Sequence, residues 1–323
     1  MRFKALAVAL TIVVLSANLS LAEEVRPKVA IAYDIGYLGD NSFNDAVNAA
    51  LVTAKKKYRL VEPFIREVPT NGTAVDRLTR LRFLAKNGYT LIVTVGSSYR
   101  ETVRRVSMEF PEVQFAIIND RALGQLNISN IYFNESDGAY LAGVLAATTS
   151  KRRSVGFIGS EPELLASFIK GVRDTSKVTK VVNIPFPDDV SVLEKALLRV
   201  DIAYSTWDGD ATVLTTIIDK FSQKVRLISE APDQFFAALP GAEKVTLGRV
   251  EKNLVKPIDQ LIGTALENRA IIDVIDETDG IYGREYTIKN GGITLNVFSS
   301  VSGAQAVKSA LTRIRLGKVS TRP

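Results

Sequence analysis

Four predicted strands of this sequence are each followed by a polar or aromatic residue that could contact a ligand. The strands are read from apolar, β-branched runs such as residues 29–33 and 91–95. In parallel α/β sheets, ligands bind outside the carboxyl ends of the strands. Residues at these ends are therefore expected to line one site. They are Asp34, Ser97, Asp120 and Trp207.

Each of these residues also has a structural explanation, because Asp and Ser are common in turns and at helix N-caps. Trp207 could stack on a ring of the ligand or cap the core near a hinge. Its neighbours Asp208 and Asp210 could bind a cation. Two acids beside one glycine fall short of a calcium loop, so a turn is the simpler interpretation and we expect no metal.

The absence of two residue types excludes much of enzyme chemistry. The chain has no His and no Cys, so it has no Ser-His-Asp triad, no thiolate nucleophile and no ordinary zinc site. Two carboxylates can suffice for glycoside hydrolysis, so Asp34 and Asp120 leave a hydrolase open. Gly36, Gly39 and Gly96 fit neither GxGxxG nor GxxxxGK(S/T), and no cofactor is expected.

Strands and helices alternate along the chain, which is typical of βαβ units and a parallel sheet. The first apolar run is continuous and predicts a strand buried on both faces. Apolar residues in 43–58 have the spacing of one face of an amphipathic helix. Pro63 interrupts the strand predicted over 60–68, which places that strand near an edge. Thr73 and Asp76 resemble an N-cap arrangement.

The alternation pauses after Phe133 and restarts at Ser154, which predicts two α/β lobes. The helix between them is rich in Gly and Ala, which allows close backbone packing, as expected where two lobes meet. The predicted fold is α/β, with two Rossmann-like lobes of parallel strands joined by a hinge. A helix over 253–268 is expected to return between the lobes, and the tail from Ile271 to be strand-like. The predicted units are a leader (1–22), an N-terminal lobe (23–133 plus about 249–270) and a C-terminal lobe (134–248 plus about 271–323).

The first 22 residues resemble a secretory signal. Arg2 and Lys4 precede an acid-free apolar run, and small residues at Ser20 and Ala22 fit a cleavage site, with an uncleaved anchor as the alternative. Removing this leader lowers the formal charge from +6 to +4, and the remaining basic residues are dispersed among acids. We therefore expect an exported protein that does not bind nucleic acid.

Several segments resemble one family over roughly residues 28–269, in order. They read DIGYLGDNSFNDA, VGSSYRETV, FAIIND, YLAGVLAATTSKRRSVGFIGS, FIKGVRD and VTLGRVEKNLVKPID. The sequence is similar to the basic-membrane-protein (BMP) or PnrA-like substrate-binding proteins of ABC transporters. That resemblance implies the type I periplasmic-binding fold, a purine nucleoside as ligand and a membrane permease as partner.

The resemblance also implies roles for individual residues. Asp34 and Asp120 match family acids, with Asp120 expected to accept hydrogen bonds from ribose hydroxyls or the base. Phe43 and Phe168 match two aromatics that stack on the base, and Lys252 matches a lysine that contacts the sugar. The expected ligand-binding set is Asp34, Phe43, Asn44, Ser97, Asp120, Phe168, Trp207 and Lys252.

Two segments depart from the family pattern. The expected GG-x-G stretch reads TWDGDA, and the expected G-V-D reads Ser229-Glu230-Ala231. The usual lipid-bearing Cys is absent, which predicts a periplasmic or secreted protein without a lipid anchor. We expect a monomeric solute-binding protein, not an enzyme, that delivers its solute to an ABC permease. The alternatives are a ligand-sensing partner of a membrane receptor and a carboxylate-based glycoside or nucleoside hydrolase.

Overall fold

We describe the protein from a computed structural model that covers residues 26–186, 189–206, 211–232, 239–298 and 300–322. The predicted leader and Trp207, with most of the TWDGDA segment, lie outside these described residues. Within them, no helix combines the length and the apolar character needed to cross a membrane. The described strands form two sheets, each flanked by helices, as the alternating pattern predicts.

The first sheet has seven strands, all parallel to their neighbours except at one edge, where β11 pairs antiparallel with β12. Its central strands are buried along their whole length, which explains their continuous apolar sequence. The strand that follows Pro63 lies at the other edge, as predicted. In spatial order the strands are β11 (Asp273–Asp276), β12 (Ile281–Tyr286), β5 (Ile128–Phe133), β4 (Gln114–Ile118), β3 (Leu91–Val95), β1 (Val29–Ala32) and β2 (Ile65–Val68).

The second sheet has six strands and a similar plan, with one antiparallel pair, β10 and β13, at its edge. In spatial order its strands are β13 (Ile293–Val297), β10 (Thr246–Lys252), β9 (Arg226–Ala231), β8 (Ile202–Ser205), β6 (Ser154–Ile158) and β7 (Lys180–Ile184). We call the parts built on the two sheets the first lobe and the second lobe.

Helices cover the faces of both sheets. Those of the first lobe are α1 (Phe43–Tyr58), α2 (Ala74–Lys86), α3 (Arg100–Glu109) and α9 (Val255–Leu266), and a 3-10 turn (Ser97–Tyr99) leads into α3. Those of the second lobe are α4 (Glu135–Thr149), α5 (Pro162–Thr175), α6 (Val190–Leu197), α7 (Thr212–Thr216, continued by a π-helical turn Ile217–Phe221), α8 (Ala242–Val245) and α10 (Val301–Arg315).

Two helices of the first lobe agree with the features predicted from the sequence. The apolar face predicted for α1 is the buried one and includes Val47, Leu51 and Ala54. The Thr73 side chain accepts a hydrogen bond from Asp76 N at 3.2 Å, so the predicted N-cap of α2 is confirmed.

Two features of the tail differ from the predictions. Residues 273–286 lie in the first sheet, because β12 pairs parallel with β5 in the register Gly283↔Asn130; the segment was expected in the C-terminal lobe. The tail is also not wholly strand-like, because α10 follows β13. Ser300 Oγ accepts from Gly303 N at 3.0 Å and caps this helix. Its buried residues Val307 and Ile314 are two helical turns apart, which is the signal that the prediction overlooked.

In its described part, the chain crosses between the lobes three times: from β5 into α4, from β10 into α9 and from β12 into β13. Hydrogen bonds join these crossings to one another. Asn134 N donates to Tyr286 O at 2.9 Å, and Asn253 N donates to Gly292 O at 2.8 Å. The three crossings therefore form one connected hinge.

The small residues of α4 allow this helix to pack closely against α5. A Cβ atom on Gly143 would lie 2.3 Å from Phe168 O, and one on Gly171 would lie 2.1 Å from Tyr140 O. Both distances are too short for any real contact, so only glycine fits at these two positions. The close packing was expected where the two lobes meet; the structure places it inside the second lobe, between α4 and α5 beside the hinge.

Gly143→Ala is expected to lower the free energy of unfolding by about 1–3 kcal/mol, because the new methyl group must push α5 away. Urea unfolding followed by circular dichroism measures this change. Thr148→Ala, on the same helix, adds no atoms and is the matched control. An unchanged unfolding midpoint for Gly143→Ala would contradict the close packing described here.

Candidate functional site

The carboxyl ends of the two sheets face each other at the predicted site. Ser42, just after the β1–α1 loop, donates its hydroxyl to Pro232 O at 2.6 Å. Pro232 directly follows β9 of the second lobe. The edge that carries Asp34 is thus in contact with the opposite lobe.

Hydrogen bonds from backbone N–H groups to two side chains, those of Asp40 and Asp45, hold the β1–α1 loop. Asp40 accepts from Ser42 N at 2.9 Å and from Asn44 N at 3.1 Å at the start of α1. Asp45 accepts from Gly39 N at 2.8 Å and from Asn41 N at 2.7 Å. Because these bonds run in both directions along the loop, the loop has a defined shape before any ligand is present.

Asn44, a predicted ligand residue, is buried and bonds the backbone on both sides of Asp34. Its Oδ1 accepts from Asp34 N at 3.1 Å, and its Nδ2 donates to Asp34 O at 3.3 Å and to Ile35 O at 3.2 Å. In this structure its side chain therefore positions Asp34 and does not point a free amide at the space between the lobes.

The Asp34 carboxylate lies at the end of β1 with a partner on each oxygen. Oδ1 accepts from Arg77 Nη2 at 2.8 Å, and Oδ2 accepts from Ser98 Oγ at 2.5 Å. The side chain remains 28% exposed, so a ligand could still reach it. Ser97, the predicted contact, is exposed, and it is Ser98 that bonds the acid.

Tyr99 packs against Arg77, the arginine that pairs with Asp34. The guanidinium carbon of Arg77 lies 5.3 Å from the centre of the Tyr99 ring. Tyr99 is buried and donates its hydroxyl to Tyr33 O at 2.8 Å. Burial raises the pKa of Tyr99 above its ordinary value, so the phenol stays neutral and keeps its role as a donor.

Asp120 is at the end of β4 and has no exposed side-chain surface. Its Oδ2 accepts from Arg100 Nε at 2.8 Å and from Arg100 Nη2 at 2.7 Å. Its Oδ1 accepts from Ala122 N at 2.8 Å. The Arg100 side chain, by contrast, is 53% exposed. At this strand end the exposed charged group is therefore the guanidinium and not the predicted carboxylate.

Phe43 and Lys252 lie together beside the hinge. The Lys252 ammonium is 5.5 Å from the centre of the Phe43 ring and 2.6 Å from Glu135 Oε1. Phe43 is half-buried and begins α1, whereas the Lys252 side chain is only 2% exposed. The structure thus brings together two predicted residues that are more than 200 positions apart in the sequence.

Phe168 is placed differently from the other predicted residues. It is fully buried on α5, with its ring centre 5.6 Å from that of Tyr204 in a stacked arrangement and 5.8 Å from that of Phe157. No part of its ring is exposed to the space between the lobes in this structure. The Tyr204 hydroxyl donates to the buried Glu230, which lies in the segment that departs from the family pattern.

The structure therefore groups Asp34, Ser97 and Asp120 at one sheet edge, with Phe43 and Lys252 at the hinge, and leaves Phe168 in the core. Sequence reasoning missed the arginines that hold both acids. Arg77 could have been found, because it precedes Leu81 and Leu84 by four and seven positions and so shares their buried face of α2. Arg100 gave no such signal.

A cavity of about 1020 Å³ lies elsewhere, at the opposite edge of the second sheet. Its lining includes Asp201, Arg226 and Leu247, at or near the amino ends of β8, β9 and β10. It is therefore remote from the predicted ligand residues.

Asp34→Ala is expected to lower the free energy of unfolding by about 1.5–3 kcal/mol, because it leaves the buried Arg77 guanidinium without its charged partner. Chemical denaturation of the unliganded protein measures this. Glu109→Ala is the matched control: its pair with Arg82 is exposed to solvent on both sides, so its loss should change stability much less. Equal effects of the two changes would show that the Asp34 pair is no stronger than a surface pair.

Comparison with known proteins agrees with this geometry. The chain is 25% identical to the ABC transporter nucleoside-binding protein BmpA of Lactococcus lactis in an alignment of 318 residues that covers 91% of this chain and 88% of that protein. A solute-binding protein of an ABC transporter system from Conexibacter woesei superimposes with a TM-score of 0.66 at 18% identity, covering 91% of this chain and 98% of the other.

A third match carries a different kind of name. The crystal structure of a transcriptional activator of the comK gene from Bacillus halodurans superimposes with a TM-score of 0.70 at 18% identity, covering 90% of this chain and 99% of the other. At this identity the likeness shows the shared fold alone.

The sequence model of one family, Bmp, described as ABC transporter substrate-binding protein PnrA-like, matches residues 27–184. That region contains the loop after β1, both acids of the first sheet edge and the helix α4 that enters the second lobe. Residues 27–184 are thus similar to the Bmp family of PnrA-like ABC transporter substrate-binding proteins, and the two-lobed fold agrees with this similarity.

Proposed function

We propose that this protein is an extracytoplasmic solute-binding protein that captures a purine nucleoside between its lobes and delivers it to an ABC permease. The observation that carries the proposal is the meeting of two sheet edges, one bearing Asp34 and Phe43, beside a hinge of three crossings. Ligand binding would bias the equilibrium between open and closed lobes, and the permease would read the closed form.

The side chains available at the edge suit a nucleoside. The half-buried ring of Phe43 could stack on a flat base, and base–aromatic stacking is worth about 1–3 kcal/mol per base. Asp34 retains accessible surface and could accept hydrogen bonds from sugar hydroxyls, in the strong, charge-assisted form. The name of the Lactococcus relative, a nucleoside-binding protein, supports the same ligand class.

The site favours binding over catalysis. A two-carboxylate hydrolase needs one acid to donate a proton and the other to act as base or nucleophile beside the scissile bond. Here the Asp120 carboxylate is fully covered and bonded to Arg100 and Ala122 N. A carboxylate held in that way is unsuited to either role, so we infer that the protein returns its ligand unchanged.

Native mass spectrometry of the purified mature protein, before and after mild unfolding, tests this function. An intact nucleoside released on unfolding is the expected result. Release of a free base together with a sugar would instead indicate a hydrolase. A protein that is empty and also fails to bind a panel of nucleosides would contradict the proposed ligand class.

Phe43→Ala is expected to weaken nucleoside binding by about 1–3 kcal/mol with little loss of stability, because the ring is only half-buried at the end of a helix. Isothermal titration calorimetry measures the affinity. Phe83→Ala is the matched control, since Phe83 is an exposed aromatic on α2 that lies over Arg66. Unchanged affinity in the Phe43 variant would make its ring part of the core only.

A further inference from the structure

We infer that Arg100 determines specificity at the centre of the first sheet edge, and that it selects a ligand bearing an anionic phosphate group. The inference rests on the proposed nucleoside function and refines it: the favoured ligand becomes a nucleoside monophosphate. The sequence predicts that Asp120 faces the ligand, but in the structure Arg100 covers Asp120 and is itself exposed.

The Asp120 carboxylate is covered and cannot be reached by a ligand in this structure. Both of its oxygens are occupied, one by two nitrogens of Arg100 and the other by Ala122 N. Its side chain has no exposed surface, so a sugar hydroxyl could approach it only by displacing the arginine. Displacement would leave a buried carboxylate without its charged partner, which is strongly unfavourable.

Arg100, in contrast, has donors to spare. A guanidinium carries five N–H donors and no acceptor, and the pair with Asp120 engages only its Nε and Nη2 atoms. About half of the side chain is exposed. The remaining fork of donors matches the geometry of phosphate oxygens, which arginine binds in a bidentate manner.

The surroundings of Arg100 add donors and positive charge. Arg121 is exposed, directly follows Asp120 and lies with its guanidinium carbon 4.7 Å from the Tyr132 ring centre. Ser97 is exposed three residues before Arg100, at the start of the same helical segment. Because Arg100 is exposed and the Asp120 carboxylate is covered, the charge that this pair presents to solvent is positive.

The position of Arg100 is suited to contact a ligand held between the lobes. It begins α3 just after β3, and Asp120 ends β4, and these two strands are next to each other in the middle of the sheet. On their other side β3 pairs with β1, whose loop is in contact with the second lobe through Ser42. A base near Phe43 and a phosphate near Arg100 would thus occupy one continuous edge.

Isothermal titration calorimetry with guanosine, guanosine 5′-monophosphate and inorganic phosphate tests the inference on the mature protein. We expect the monophosphate to bind about tenfold more tightly than guanosine, the gain of one charge-assisted hydrogen-bonded contact. Inorganic phosphate alone should bind much more weakly than either, because it lacks the base. Equal affinity for guanosine and its monophosphate overturns the inference and leaves the proposed nucleoside function standing.

Arg100→Gln should abolish the preference for the monophosphate while changing guanosine affinity by less than about threefold, since guanosine lacks the group that Arg100 contacts. Arg105→Gln, on the same helix but paired with Glu109, is the matched control and should keep the preference. The double variant Arg100→Gln with Asp120→Asn removes both charges of the pair and guards against misfolding of the single variant. A preference that survives in the folded double variant overturns the inference.

Two other results separate failure of the proposed nucleoside binding from failure of the phosphate preference. If neither guanosine nor its monophosphate binds, and other nucleosides also fail, the ligand class itself is wrong and the inference falls with it. If guanosine binds and Asp120→Asn weakens it while Arg100→Gln does not, Asp120 is the direct ligand contact and Arg100 only supports it. That result also overturns the inference.

Discussion

The carboxylate of Asp137 connects distant parts of the chain at the hinge between the lobes. It lies in the first turn of α4, where the chain first enters the second lobe. Its Oδ2 accepts from Ile288 N at 2.8 Å, in the last crossing between the lobes, and its Oδ1 accepts from the buried Thr321 hydroxyl at 2.6 Å. One buried acid thus joins the first crossing, the last crossing and the end of the described chain. A buried carboxylate needs such partners, because an unpaired one would cost several kcal/mol.

Pairing of buried charge also organises the candidate site. Each acid at the edge of the first sheet is matched by an arginine from the helix region behind it: Asp34 by Arg77 and Asp120 by Arg100. The matching fixes both carboxylates before a ligand arrives. The same bonds use some of the lone pairs of each carboxylate, and a ligand can use the remaining ones only where the carboxylate is exposed. The difference in exposure between Asp34 and Asp120 therefore decides which of them a ligand can reach.

The fold and the proposed function are connected through the hinge. Parallel strands bring their carboxyl ends to one edge in each lobe, and three crossings place those two edges opposite each other. Lys252 links this hinge to the site, since it pairs with Glu135 at the start of α4 and lies over the Phe43 ring. A ligand that contacts Phe43 would therefore act on residues that also hold the crossings together.

The local sequence determined most of the architecture. The continuous apolar run before Asp34 predicted a buried parallel strand, Pro63 predicted the edge strand that follows it, and the small residues of α4 predicted close backbone packing, although not the helix that packs there. Each of these follows from the properties of the residues themselves: burial on two faces, a missing N–H donor, or a missing Cβ atom. The polar residues at strand ends were also predictable, because each directly follows an apolar run that forms a buried strand.

Tertiary structure alone decided how those residues are used. Asp120 looked like an acceptor, but Arg100, twenty residues earlier, covers it. Phe168 looked like a stacking residue, but it lies in the core against Tyr204. The tail segment at β12 joined the first sheet because it extends the ladder beyond β5, which is more than 140 residues away in sequence. A sequence specifies local periodicity and residue chemistry, whereas the exposure and pairing of a side chain depend on distant segments that only folding brings into contact.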